Sequence, residues 1–411
     1  MLGSTRAPLA HRAAAIRARA PRTAAPRVAA SRALVILVVA LLVGSLVGVG
    51  GGQSTSSATR PPAPARAARG AQARVPAGTA AIPASRGELL TPAQCAANRA
   101  AGPVTWVSPF SYSATATILD VFVAKRLGYF ADLCLDVRLI TSSVTPDELV
   151  SNGAAQLSGE GSAADTIEAD ANGSNLVGVA TDGAESDYAL LTLKSITRLS
   201  ELAGKTLAYH QAVPVAILEM LAAAHVKASS VHFVEDNSYN PALLDQGDFD
   251  ALQAFASNEP LELRAEHLPF NEFTPSELGV KGTTGVVVVN RSYLRAHRVV
   301  VADFLRADLK ALAFCLGHGR ICVNIERAAA RSAGVSYDTS LSLASWAVER
   351  SILERSRLPR RGLGVETTAE WRPEDRALAR FGIVKHPPAL SSVEDPGLVA
   401  SLYHGTALIW P

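Results

Sequence analysis

Residues 104–140 read VTWVSPFSYSATATILDVFVAKRLGYFADLCLDVRLI, and the fold class turns on them. Residues 104–107 are a short apolar, β-rich run, the pattern of a buried strand. Residues 114–127 follow, with Ile118, Val121, Phe122 and Leu127 near helical spacing, which predicts a helix. Residues 135–140 alternate apolar and polar and predict the next strand. A strand, a helix and a strand in succession make one β–helix–β unit.

The same rhythm continues outward. The pattern predicts a short helix at 146–152, a strand at 155–158, a helix at 163–171 and a buried strand at 176–181. Strands at 188–193 and 206–209, a helix at 214–224, a strand at 231–234, a helix near 241–246 and a strand at 251–255 form a second block. Residues 285–289 (GVVVV) are the most β-rich run, and after Val299 the chain reads as mostly helical to its end. Repeated units of this kind predict an α/β fold with parallel sheets, arranged as two lobes. No short fixed-period repeat is present.

The chain has 411 residues, enough for two lobes with real cores, and its 48% apolar and 18% charged composition is that of a folded protein. The formal net charge of +2 conceals an asymmetry. No acidic residue precedes Glu88, whereas twelve arginines do, so 88–411 carries 27 basic against 37 acidic residues, about −10. An acidic body repels nucleic acid, whose binding rests on phosphate neutralisation, and nucleic acid is not an expected partner.

Residues 33–50 (ALVILVVALLVGSLVGVG) are uncharged and, as a helix of ~1.5 Å rise per residue, would be about 27 Å long. Seven arginines precede the run and none follows before Arg60, which predicts a cytoplasmic leader at 1–32 and export of the rest. The run is a retained single-span anchor or the apolar part of a cleaved signal; its long basic leader favours the anchor, with the folded part outside the cytoplasm. Residues 51–88, rich in Pro, Ala, Gly, Ser and Arg, predict an unstructured semi-rigid spacer.

Four cysteines in an exported chain predict two disulfides. Cys315 and Cys322 flank LGHGRI, whose glycines let the chain turn back, which leaves Cys95 to Cys134. His318 between the glycines is expected in an exposed loop. No CxxC, HExxH or His/Cys cluster occurs, so neither a metal nor a cofactor is expected. Gly204-Lys205-Thr206 lacks the first glycine of a phosphate loop, Leu199 standing in its place, and no G-x-S-x-G is present.

Several segments together carry a resemblance. Trp106-Val107-Ser108-Pro109, Val123-Ala124-Lys125-Arg126-Leu127-Gly128-Tyr129-Phe130 and Leu135-Asp136-Val137 open it. Leu149-Val150-Ser151-Asn152-Gly153-Ala154-Ala155-Gln156, Leu202-Ala203-Gly204-Lys205-Thr206, Gly247-Asp248-Phe249-Asp250-Ala251, Asn258-Glu259-Pro260 and residues 285–290 follow in order. Over roughly 103–312 the chain resembles the NMT1/THI5-like (SsuA/THI5-like) solute-binding proteins. Cys134 stands where that family usually has Gly, consistent with a bridge to Cys95.

The resemblance implies a type II periplasmic-binding-protein fold, with one lobe at 103–187 and 265–411 and the other at 188–264. It implies capture of a small organic ligand for the permease of an ABC importer, by a monomer and without catalysis. Family ligands are thiamine-pyrimidine precursors and aliphatic sulfonates including taurine. The enzyme branch of the family, a pyrimidine synthase, carries a cysteine-rich C-C-C-F-C motif that this chain lacks. A tethered sensor or scaffold with the same fold is the alternative.

Ligands of open α/β sheets bind beyond the strand ends, at helix N-termini and connecting loops. That rule selects Ser108, Phe110 and Tyr112 after the first strand, where flat rings can stack on a planar ligand. It selects Glu160, Gly161 and Ser162 at a strand-to-helix turn, Gly161 for close backbone approach and Ser162 as a helix cap. Tyr209, His210 and Gln211 occupy a second such turn, and Asp182, Asn258 and Glu259 stand near the two crossings. With rings and acceptors but no Lys or Arg in these segments, a flat nitrogen-containing ligand is expected ahead of a sulfonate, which calls for cationic or dense N–H donors.

Overall fold

The computed structural model of the chain describes residues 90–142 and 146–411 together with the backbone of Ser85–Arg86, all within the unit Val75–Pro411. The expected leader 1–32, the apolar run 33–50 and the spacer up to residue 84 lie outside the described residues. Among the described residues no helix is long and apolar enough to cross a membrane.

The strands, in chain order, are β1 (Ser85–Arg86), β2 (Val104–Ser108), β3 (Val137–Thr141), β4 (Leu157–Glu160), β5 (Leu176–Gly183), β6 (Tyr188–Leu193) and β7 (Thr206–Tyr209). They continue with β8 (His232–Glu235), β9 (Ala251–Phe255), β10 (Phe270–Phe273), β11 (Thr284–Asn290), β12 (Tyr403–His404) and β13 (Ala407–Trp410). Two five-stranded sheets result, ordered β3-β2-β4-β11-β5 and β10-β6-β9-β7-β8. The chain leaves the first sheet between β5 and β6 and returns between β10 and β11. Each sheet, with the helices packed on it, forms one lobe within the unit Val75–Pro411.

The sheets are mixed, where the sequence predicted parallel ones. β2 runs parallel to β3 and β4, and β7 parallel to β8 and β9. β11 is antiparallel to both β4 and β5, and β6 to both β9 and β10. Parallel neighbours need a helical crossover laid on their own sheet. β6 and β11 instead enter from the opposite sheet, each as the strand that follows a crossing. Because β10 pairs with β6, the second sheet extends through Phe273, beyond the expected limit at 264.

Three local expectations are also corrected. The helix expected from 114 starts at Leu119, because Ser111 (φ 57°) and Thr117 (φ 62°) hold the preceding loop in left-handed conformations. Ser85–Arg86, inside the expected spacer, pairs in parallel with Ile409–Trp410 and closes a small third sheet, β1-β13-β12. The segment around His318 is a kink (φ −136°, ψ 37°) in the helix Arg298–Ser332 rather than an exposed loop. The His318 ring stacks on Phe314 at 4.4 Å, and a side chain at Gly319 would meet Trp346 at 2.4 Å.

The first sheet's core is built on Trp106, which is fully buried against Phe304, itself stacked on Phe130. In the second sheet the period of two along β6 sends Leu190 to one face, with Leu207, Ile217 and Met220. Ala189 and Leu191 go to the other, with Leu252 and Ala254.

Both disulfides pair as the sequence predicts, Cys95 with Cys134 and Cys315 with Cys322. The second spans the kink and closes a loop with a sequence separation of 7. By loop entropy its removal through a Cys315→Ser, Cys322→Ser pair is expected to lower the unfolding free energy by about 2.5 kcal/mol. Urea denaturation at matched pH measures this. No loss of stability would show that the kink is held by packing alone.

Candidate ligand-binding site

An aromatic contact joins the two lobes. Tyr188 opens β6 directly opposite Phe255, the last residue of β9, and their rings stack with centroids 4.9 Å apart. Phe110, in the loop after β2, meets Phe255 edge-on at 6.0 Å and is 56% exposed. The loop is fixed from below. The buried Ser108 hydroxyl donates to the Ser111 carbonyl at 2.8 Å, so Ser108 shapes the loop. Tyr112 turns the other way and packs on Phe122 at 5.0 Å, within the first lobe and near Glu326.

The turn from β4 into the helix Ala163–Ala171 lies beside these rings. A side chain at Gly161 would meet the Asp165 carboxylate at 3.0 Å and reach Tyr188 and Phe255 at 4.0 Å, so the missing side chain is what lets this turn approach the second lobe. Ser162 caps the helix, accepting from the Asp165 N–H at 3.3 Å while its hydroxyl donates to the Asp165 carboxylate at 2.9 Å. Burial pushes Asp165 up to about 6 despite that hydrogen bond. Half-buried Glu160 carries an Oε1 closed off from solvent and without a partner. Burial, then the nearby Asp147, raises its carboxyl well above the usual range.

The crossing from β5 to β6 contributes two acids with different surroundings. Asp182 lies against Gly285, where a side chain would fall 2.8 Å from its Oδ2, and the groups acting on it are Asp120, Glu349 and Glu366. It therefore belongs to the interior of the first lobe. Asp187 immediately precedes Tyr188, and its carbonyl accepts the Ala256 N–H at 2.7 Å, tying the crossing to the loop after β9. Burial, then Glu349, raises its carboxyl. Glu349, on the helix Thr339–Ser356, accepts the Ala116 N–H from the first lobe at 3.4 Å and lies near the Ser257 hydroxyl of the second, while Val348 beside it packs against the second sheet's core.

The remaining expected residues are mostly engaged locally. Tyr209 packs edge-on against Phe233. His210 donates its N–H to Gln253 at 3.0 Å and stacks on Tyr239, and its Nδ1 lies 2.9 Å from the Asp236 carbonyl. Its Nε2 is buried without a partner. Gln211 is exposed and donates to the Tyr239 hydroxyl. Asn258 is exposed and donates to Glu259, which also accepts the Phe255 N–H at 2.8 Å and so fixes the end of β9.

The structure thus gathers Phe110, Glu160, Gly161 and Ser162 around Tyr188 and Phe255, and holds Ser108, Tyr112, Asp182 and Gln211 in other contacts. Sequence reasoning missed Asp165, Asp187, Tyr188, Phe255 and Glu349. Among the described residues no group of three or more His, Cys, Asp or Glu side chains is placed to hold a metal ion.

Phe255→Ala removes the ring that touches both Tyr188 and Phe110. It is expected to weaken binding of a ring-bearing ligand roughly tenfold, the order of one aromatic stacking contact. Isothermal titration measures it, and unchanged affinity would move the ligand away from these rings.

No curated protein sequence matches the chain, but solved structures share its fold. The ligand-binding component of an ABC-type import system from Staphylococcus aureus, solved with zinc bound, superposes with a TM-score of 0.55 at 15% identity, covering 72% of this chain and 97% of that one. The periplasmic aliphatic sulphonate-binding protein SsuA of Escherichia coli gives 0.55 at 12% identity, covering 75% and 94%. A variant of the desulfurization enzyme DSZB, in complex with biphenyl-2-sulfinic acid, gives 0.51 at 13% identity, covering 73% and 98%. One fold therefore serves binding proteins and an enzyme alike. At the level of sequence, NMT1/THI5 like is matched over residues 115–320, from the loop before the helix Leu119–Leu127 to just past the kink at His318. The chain belongs to the NMT1/THI5-like family.

Proposed function

We propose that this chain is the solute-capturing component of an ABC-type importer, closing its two lobes on a small organic molecule with a flat, nitrogen-containing ring. The observation that carries the reading is the ring cluster of Phe110, Tyr188 and Phe255 at the lobe boundary, with Glu160, Asp165 and Asp187 beside it. Rings supply stacking and the carboxyl groups accept hydrogen bonds from ring amines. A sulfonate would call for cationic or dense N–H donors, and the site as described centres on acceptors. The family membership and the fold shared with importer components support the transport role.

A ligand that binds only the folded protein raises its apparent stability. An aminopyrimidine bearing a hydroxymethyl group is expected to raise the melting temperature of the 88–411 region, and taurine is not. Stabilisation by taurine alone would reverse the preference. Tethering by residues 33–50 outside the cytoplasm is part of the proposal, supported by two disulfides that need an oxidising compartment. The full-length protein should then stay with membranes through a carbonate wash, and release of a shortened chain would show cleavage instead.

A further inference from the structure

We propose that the captured solute is an organic cation, a protonated amine or quaternary ammonium on a flat ring, seated among the carboxylates where the two lobes meet. The proposal rests on the solute-binding reading above and narrows it by charge.

Four acidic side chains reach this boundary from four separate stretches: Glu160 at the end of β4, Asp165 in the following helix, Asp187 at the crossing and Glu349 on the helix Thr339–Ser356. Asp187 and Glu349 are 8% and 2% exposed. Each leaves one carboxylate oxygen closed off from solvent with no partner, Asp187 Oδ1 and Glu349 Oε1, and so does Glu160 with its Oε1. Glu349 bonds Ala116 of the first lobe and lies near Ser257 of the second, which places it where the lobes meet.

Among the described residues no ion pair reaches any of the four. Most buried acids among the described residues, Asp182, Asp308 and Glu326 among them, likewise lack an ion pair, so what sets these four apart is their place at the lobe boundary beside the rings. Asp303, by contrast, is fully buried and accepts from Gln94, Asn98 and Arg306. A buried carboxylate without a partner is costly when ionised, so it keeps its proton until a cation arrives to pair with it. The charged and titratable neighbours are further acids, Asp147, Glu168, Glu259 and Glu374, with Asp120 and Asp182 beside Glu349, the Tyr188 phenol, and one imidazole, His210, beside Glu259. No three of these carboxylates are placed to hold a metal ion together. A larger cation with spread-out charge can touch several of them while its ring lies against Phe255 and Tyr188, whose faces themselves attract cations.

The test uses matched compounds on phenyl, pyrimidine and imidazole rings, each carrying a methylammonium, a hydroxymethyl or a methylsulfonate group, titrated calorimetrically against the exported region with both disulfides intact. The ammonium members are expected to bind at least tenfold more tightly than their neutral partners, with the sulfonates weakest. Their binding should release protons to the buffer, because the cation draws the protonated carboxyls into their ionised form. Glu349→Gln and Asp187→Asn, which keep shape and remove charge, should each cut affinity for the ammonium compounds tenfold or more and leave that for the hydroxymethyl compounds within twofold. Tightest binding by the neutral or sulfonate members would overturn the charge assignment while leaving solute capture standing. Silence from every member would overturn both.

Discussion

Raising the pH from about 5 to about 8 is expected to lower the unfolding free energy of the folded region by several kcal/mol. The cause is a set of buried carboxyls whose protonated form the fold favours. Burial pushes Glu374 up to about 8, Asp120 up to about 7 and Asp165 up to about 6, while Asp182, Asp187 and Asp308 are raised as well. For each, the folded pKa stands above the unfolded one. Between the two values the native state keeps a proton that the unfolded chain has lost, so stability is highest below the unfolded value and falls as pH rises through the folded one. Glu374 alone, moving from 4.5 to about 8, corresponds to roughly 4–5 kcal/mol across the whole span. Urea titrations at fixed ionic strength across this range measure the slope. Glu374→Gln keeps an acceptor for the Thr283 hydroxyl, which now donates at 2.7 Å, and should flatten the dependence above about pH 6. A flat profile in the parent, or one rising with pH, would mean that these acids are ionised in the folded protein and paired by something else.

The same acids explain what could and could not be read in the sequence. The strands β6, β7 and β9 were legible to the residue, because each is an apolar run bounded by turn residues. β10 (FNEF) was not, since the adjacent polar pair Asn271-Glu272 breaks the alternation of a strand and, on a sheet edge, resembles a loop in sequence. The C-terminal pair β12 and β13 was missed because its partner, β1, comes from the far end of the folded region. At the site, the loops after β2 and β4 were found from strand-to-helix logic, but Asp165, Asp187 and Glu349 look like ordinary surface acids when read one at a time. A signal was present for Glu349. It lies on the apolar stripe of its helix, with Trp346 three residues before and Ile352 and Leu353 three and four after, all buried. Glu374 sits likewise between Trp371 and Leu378. An acid on the apolar side of an amphipathic helix marks a buried carboxyl, and two such acids on neighbouring helices of one chain mark an acidic interior.

Trp106→Ala is expected to cost 3–5 kcal/mol of folding free energy, about what deletion of a fully buried large aromatic costs where the surroundings cannot collapse. Trp106 is 0% exposed on β2, between β3 and β4 of the first sheet and opposite Leu139 and Leu157. Its ring stacks on Phe304, with centroids 5.7 Å apart, and Phe304 in turn stacks on Phe130 at 4.9 Å. A hole here would sit between the sheet and the long helix Arg298–Ser332, both held by other contacts. Trp106→Phe should behave very differently. The indole Nε1 is buried with no acceptor, and an unpaired buried donor costs about 1–3 kcal/mol. Phenylalanine removes that donor and keeps a ring for Phe304, while leaving a cavity of a few atoms worth roughly 1 kcal/mol. The two effects oppose each other, so Trp106→Phe is expected to lie within about 1 kcal/mol of the parent or to exceed it. Denaturant midpoints for the two variants side by side decide the matter. If phenylalanine costs nearly as much as alanine, the indole N–H has a partner, a buried water being the first to seek, and the stacked arrangement on Phe304 does not carry this part of the core.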